Sequence, residues 1–192
     1  MKKNEINVSE LADSKRSKYF PMKIKDFTIE FCEKEIFYKE QNKIFKKVFP
    51  TGLGYIPSKI EGKELLPCYL EYRKIHSEKF LFKFKGKIIG WFQGEMDDFE
   101  TFYMRNTGIL PQFQKKGIYS AFLKTFEKYI FELGYARIAS HHSPTNALIL
   151  SLKIKAGYVI VGEETHERWG NLIKVVKFKS KKRYEYFFKK VN

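Results

Sequence analysis

Hydrophobic positions along this 192-residue chain repeat with two different periods, and the change of period organises it. Phe27, Ile29 and Phe31 alternate with polar neighbours, which predicts a short strand over 22–31. Over 33–48 the spacing of Phe37, Ile44 and Val48 is helical, and Pro50 closes the pattern. Residues 1–20 carry no periodic apolar pattern and read as a tail or loose segment before a single domain over 21–192. Gly52, Gly54, Gly62 and two prolines predict an irregular loop over 51–67, with a second short helix around 64–76.

Alternation is strongest in the middle of the chain. Two strand-like runs, 80–84 and 87–92, flank Lys85-Gly86, a hairpin turn. Asp97-Asp98 marks the next turn, and 101–110 reads as a third strand antiparallel to its predecessor. The period then shifts to 3.6. Ile118, Phe122, Phe126, Tyr129, Ile130 and Leu133 form one apolar stripe, ended by Gly134 as a C-cap. A short strand over 136–142, a helix over 146–156 closed by Gly157, and two antiparallel strands, 158–162 and 172–179, complete an α+β pattern.

The junction from Ile109 to Tyr119 carries the first chemical signal, because it passes directly from strand to helix. The first turn of a helix presents N–H groups without intrahelical partners, and the dipole adds positive charge, so the site suits phosphate. Gly117 removes a Cβ that would stand between backbone and ligand, and Lys115 and Lys116 add charge.

Gln114-x-x-Gly117-x-Tyr119 resembles the Arg/Gln-x-x-Gly-x-Gly/Ala motif of the GNAT acetyltransferases, and Ile109-Leu110-Pro111 is similar to the strand end that precedes it. Asn146, followed after a helix by Gly157-Tyr158, matches a second signature of that family. The resemblance spans about residues 80–178. It implies a mixed, mostly antiparallel sheet with a central parallel strand pair that splays apart, and helices on both faces. It further implies acetyl-CoA as co-substrate and no metal, with the pyrophosphate on the N–H groups of Lys115, Lys116, Gly117, Ile118 and Tyr119. The pantetheine would pair with main chain at Ile109 and Leu110, and Asn146, also suited to capping its helix, would bond the cofactor arm. Tyr119 departs from the motif's Gly or Ala, and its side chain is expected to point away. The family's tyrosine, seven residues after the Asn and its usual acid, is here Lys153, which reads equally as a solvated helix lysine.

The resemblance thus implies N-acetyltransfer to a primary amine, which needs a base for the amine and an acid for the thiolate. Candidates are Glu95, Tyr103, His142, Ser151 and Lys153. The alternative is a catalytically silent module of the same fold that binds CoA or a polyanion such as RNA. Charge bears on this choice: 37 Lys and Arg against 22 acids leave a net +15, which favours anionic partners, nucleic acid among them. Eight cations between Lys174 and Lys190 face one acid, Glu185. The acceptor pocket is expected from residues 33–76, with Tyr55 and Tyr69 as lining candidates. Two cysteines, Cys32 and Cys68, form no metal motif, and no apolar run reaches membrane-spanning length. The expected location is the cytoplasm; the oligomeric state stays open, a dimer being one option.

Overall fold

The computed structural model describes residues 8–50, 66–72, 74–167 and 169–191. Eight strands form one sheet in the order β1-β2-β3-β4-β5-β6-β8-β7. They are β1 (Met22–Ile24), β2 (Phe27–Phe31), β3 (Ser77–Phe84), β4 (Lys87–Met96), β5 (Thr101–Ile109), β6 (Arg137–His142), β7 (Val159–His166) and β8 (Gly170–Phe178). Every neighbouring pair is antiparallel except β5–β6. The helices are α1 (Val8–Arg16), α2 (Lys34–Val48), α3 (Leu66–Tyr72), α4 (Ile118–Leu133), α5 (Ala147–Lys155) and α6 (Lys181–Val191).

The aromatic alternation of the strands meets the helical stripe of α4. Phe80 and Phe82 of β3, Phe92 of β4 and Phe102 of β5 are fully buried against Phe122 and Phe126. These two lie four residues apart and so share one face of α4. Ring centroids stand 4.5 Å apart for Phe92–Phe126 and 5.1 Å for Phe82–Phe122. The opposite face of the sheet packs on α2, where Phe37, Leu81 and Trp91 form a second cluster.

Several expectations change. The single strand over 22–31 is a hairpin, because Lys25 adopts φ 53° and reverses the chain. Residues 8–16 are a helix rather than a loose segment. Arg16, at its C-terminus, makes two bonds of 2.9 Å to the fully buried Glu78, and that interaction has no periodic signature. The basic tail also contains a helix, α6, whose Phe187 packs 5.7 Å from Phe178 of β8. Most of the 51–67 loop, Tyr55 included, and the side chain of Tyr69 lie outside the described residues.

Candidate functional site

The strand–helix junction has the geometry of an anion cradle. Leu110 N–H bonds the Ile89 carbonyl at 2.8 Å, which ends β5, and Pro111–Phe113 form a single 3₁₀ turn. Gln114 Nε2 then donates to the Ile109 carbonyl at 2.8 Å and folds the loop back on its own strand. Lys115 at φ 58° and Gly117 at φ 77° are both left-handed, a pattern that turns successive N–H groups toward one concavity. No side chain caps α4, so its first amides are left for a ligand. A Cβ on Gly117 would meet nothing within 4 Å. The fold itself therefore demands glycine there for its φ, and the space in front stays open.

Tyr119 turns away from the cradle and inward. Its ring packs on the core beneath the loop, and its hydroxyl bonds Thr107 of β5. Ile118 is likewise a core side chain, whereas Gln114, Lys115 and Lys116 are exposed. Asn146 is exposed and caps α5, accepting from Ile149 N–H at 3.4 Å.

The parallel pair β5–β6 stays together for only three positions, the last being Tyr103 opposite Ala139. Past Tyr103 the β6-facing edge of β5 has no strand partner among the described residues. The same point carries an irregularity on the other side: two steps of β4, Gln93 to Glu95, oppose three steps of β5, Asn106 to Tyr103. The extra residue is a β-bulge, a device that re-aims side chains beside a site. Gly94 permits it, since a Cβ there would come within 2.7 Å of the Tyr103 carbonyl oxygen.

Two of the five catalytic candidates lie where the strands part, on opposite faces of β5, since Lys153 touches Met104 and Tyr103 is its strand neighbour. Lys153 is not solvated: its side chain is fully buried, with Nζ 3.1 Å from Met104 Sδ and 4.2 Å from the Tyr158 ring. Burial disfavours the ammonium and brings its pKa down to about 7. Tyr103 holds the crotch of the splay from β5, and burial raises its phenol pKa. The other three serve less well. Glu95 is committed to Arg105, whose Nη2 also donates to the Tyr72 hydroxyl at 2.9 Å. His142 bonds Ser140 at 2.9 Å, and burial followed by the nearby Lys153 charge lowers its pKa to about 4, too low for an efficient base near neutrality. Ser151 is exposed on a groove of about 510 Å³ between α4 and α5, which Lys124 and Lys155 also line.

His141, absent from the sequence candidates, takes the place expected of His142. Strand alternation sends the two rings to opposite faces, and His141 Nδ1 lies 3.0 Å from the Tyr103 hydroxyl. Sequence alternation puts the two histidines on opposite faces of β6 and carries no signal of which one turns toward β5. On the His141 face Asp97, Ala139 and Lys174 line a groove of about 580 Å³ running beneath α6. The tail is not a free basic stripe, because Lys177 pairs with Glu127, Arg183 with Glu100 and Lys181 with Glu185, while Lys179 donates to the Phe131 carbonyl. Among the described residues there is no metal-ligating cluster, and no helix is long and apolar enough to cross a membrane.

Residues 37–149, more than half of the chain, match the model of the acetyltransferase (GNAT) family. No curated protein sequence matches the chain. Among solved structures, the ribosomal-protein-S5-alanine acetyltransferase of Vibrio fischeri is similar at TM-score 0.63 and 15% identity, covering 83% of this chain and 97% of that one. Spermidine N-acetyltransferase SpeG of Vibrio cholerae, an N152L mutant, gives 0.59 at 16% identity over 82% and 96%. YncA of Salmonella typhimurium, solved with acetyl-CoA as its cofactor, gives 0.57 at 16% identity over 81% and 95%. At these identities the likeness is one of fold.

Proposed function

The chain belongs to the GNAT acetyltransferase family, and on that premise we propose that it moves the acetyl group of acetyl-CoA to a primary amine, with Lys153 as the proton donor. The single observation that carries the reading is the uncapped start of α4, with open space before Gly117, following the end of β5, whose β6-facing edge has no strand partner past Tyr103 among the described residues. Solved structures of similar fold are named for amine acceptors, an alanine of a ribosomal protein and spermidine, which supports the amine class.

The residues present suit acetyl-CoA. The backbone amides of Lys116 to Ser120 would hold the pyrophosphate at the positive end of α4. Lys115 and Lys116 add exposed cations at the mouth, and Lys124 and Lys155 add two more along the α4–α5 groove. The unpartnered edge of β5 offers main-chain groups to an extended amide-bearing arm. When bound, acetyl-CoA supplies the acyl group as a thioester with a thiolate leaving group.

Lys153 stands at the splay with its ammonium against Met104. With a pKa of about 7 it is partly protonated near neutrality and releases its proton readily, as a general acid must. The N–H groups of β5 near the bulge would polarise the thioester carbonyl by donating to it.

The test is thiol release from acetyl-CoA with a panel of primary amines, beside calorimetric binding of CoA. Transfer to at least one amine, with a loss of about 10²-fold in kcat for Lys153→Gln at unchanged CoA affinity, is expected. Tight CoA binding with no turnover on any amine would instead mean a silent module. An acceptor screen by mass spectrometry in cell extract then identifies the amine.

A further inference from the structure

A second set of titratable groups crosses the sheet at the point where the strands part, and the proton donor does not use it. Tyr103 of β5, His141 of β6 and Glu164 of β7 lie in sequence across one face. The Tyr103 hydroxyl is 3.0 Å from His141 Nδ1, and the two rings are tilted at 54° with centroids 5.5 Å apart. On the far side of the imidazole, Nε2 stands 3.3 Å from Glu164 Oε2. That nitrogen is buried and makes no aligned hydrogen bond in the resting protein among the described residues.

We infer that Tyr103, His141 and Glu164 form a proton relay that withdraws the proton from the acceptor ammonium. The inference rests on the amine-acetylation reading above and adds the base which that reading lacks. Tyr103 is the last residue at which β5 and β6 pair, so its hydroxyl stands at the crotch of the splay. Its opposite number, Ala139, lines the groove beneath α6 with Asp97 and Lys174, so that groove reaches the β6 position paired with Tyr103.

The groups around His141 set its starting state. Burial lowers its pKa most; Glu164 and Asp97 oppose that, while Lys174, its register partner on β8, and His166 of β7 reinforce it. Its neighbour along β6, His142, faces the opposite side with Ser140. Arg105, over the Tyr103 ring at 5.3 Å, pulls the phenol down, but burial outweighs it and keeps the phenol protonated. A protonated phenol beside a neutral imidazole donates to Nδ1, which leaves the imidazole proton on Nε2, facing Glu164.

The atoms then balance. An N–H bond of the acceptor ammonium breaks and an O–H bond forms at Tyr103. The original phenol O–H breaks as Nδ1–H forms on His141. The ring becomes an imidazolium whose Nε2–H gains the Glu164 carboxylate as its partner, and the amine is left neutral to attack. Tyr103 touches the acceptor; His141 and Glu164 act through it, as proton store and positioning residue.

The experiment measures kcat from pH 6 to 10 for the wild-type chain, His141→Gln, Glu164→Gln and Tyr103→Phe, with spermidine and an alanine-N-terminal peptide as probe amines. His141→Gln should lose about 10²-fold or more at pH 7 with CoA affinity unchanged. The deficit should shrink toward pH 10, where the free amine populates without help. A loss independent of pH, or no loss, overturns the relay. ¹⁵N-histidine NMR supplies a readout separate from turnover. Nε2–H with bare Nδ1 in the resting protein, and a lower imidazole pKa in Glu164→Gln, support the relay. An Nδ1–H tautomer, or an unmoved pKa, overturns it. If neither probe amine is acetylated, the acceptor reading fails on its own account and the NMR result still decides the relay.

Discussion

Nζ of Lys153 lies 3.1 Å from Sδ of Met104, a buried amine held against a thioether at the point where β5 leaves β6. That placement is costly for a cation. The folded pKa of about 7 stands below the ordinary lysine value of 10.5, so between those values the unfolded chain binds more protons than the folded one. Stability therefore rises with pH across that window, and the penalty is complete below pH 7. Lys153→Met should raise the Tm by several degrees at pH 6, with a ceiling of about 5 kcal/mol. The gain should fade toward pH 10.5. Thermal denaturation across pH checks this; a gain of equal size at both ends would mean that burial of charge is not its source.

Glu78 predicts the opposite slope. Its carboxylate accepts from Arg16, from the Tyr129 hydroxyl at 2.6 Å and from His76, 2.9 Å away, and these partners outweigh burial and hold its pKa below 4.5. A lowered carboxylate contributes stability that is present above the unfolded pKa and lost as pH falls through the folded one. Glu78→Gln leaves the buried Arg16 guanidinium with only the exposed Asp13 carboxylate as counter-charge. A cost of about 3–5 kcal/mol is expected at pH 7, with the difference from wild type closing as pH falls below 4.5 through the lowered folded pKa. Tm against pH from 3 to 7 measures both.

Gly117→Ala should separate fold from ligand. The φ of 77° strains any residue with a Cβ, at about 1 kcal/mol, but the added methyl meets no protein atom. The methyl would instead occupy the space open to a phosphate. Calorimetry with CoA is expected to show an affinity loss of at least tenfold, beside a Tm loss of a few degrees. Equal affinity would remove the cradle from the site.

Gly94→Ala acts on the bulge. A Cβ would stand 2.5 Å from the Phe102 ring and 2.7 Å from the Tyr103 carbonyl oxygen, and the carbonyl cannot yield without moving β5. Overpacking of this kind costs about 1–3 kcal/mol. Acetyl transfer should fall further than stability does, since the displaced backbone carries Tyr103 and Met104. Comparing kcat with Tm for this variant tests that ordering.

Much of this molecule was legible in its sequence, wherever the deciding neighbours are close along the chain. The Lys85-Gly86 hairpin, the apolar stripe of α4 and the Gln114–Tyr119 loop depend on spacings of two to four residues, and they stand where the pattern placed them. The anion cradle proposed for the loop is contiguous backbone, so a motif could point to it. Local pattern was silent on which ring of the pair His141–His142 faces the splay, because that phase is set by how β6 lies against Tyr103, 38 residues away. It was equally silent on Lys153, whose charge reads as solvated until Met104 and Tyr158 close over it. The helices α1 and α6 belong to the same class. Their segments look polar, and Arg16 with Glu78 and Phe187 with Phe178 anchor them only after the sheet exists. Contacts over long sequence separation, rather than propensity, decided which side chains became a site.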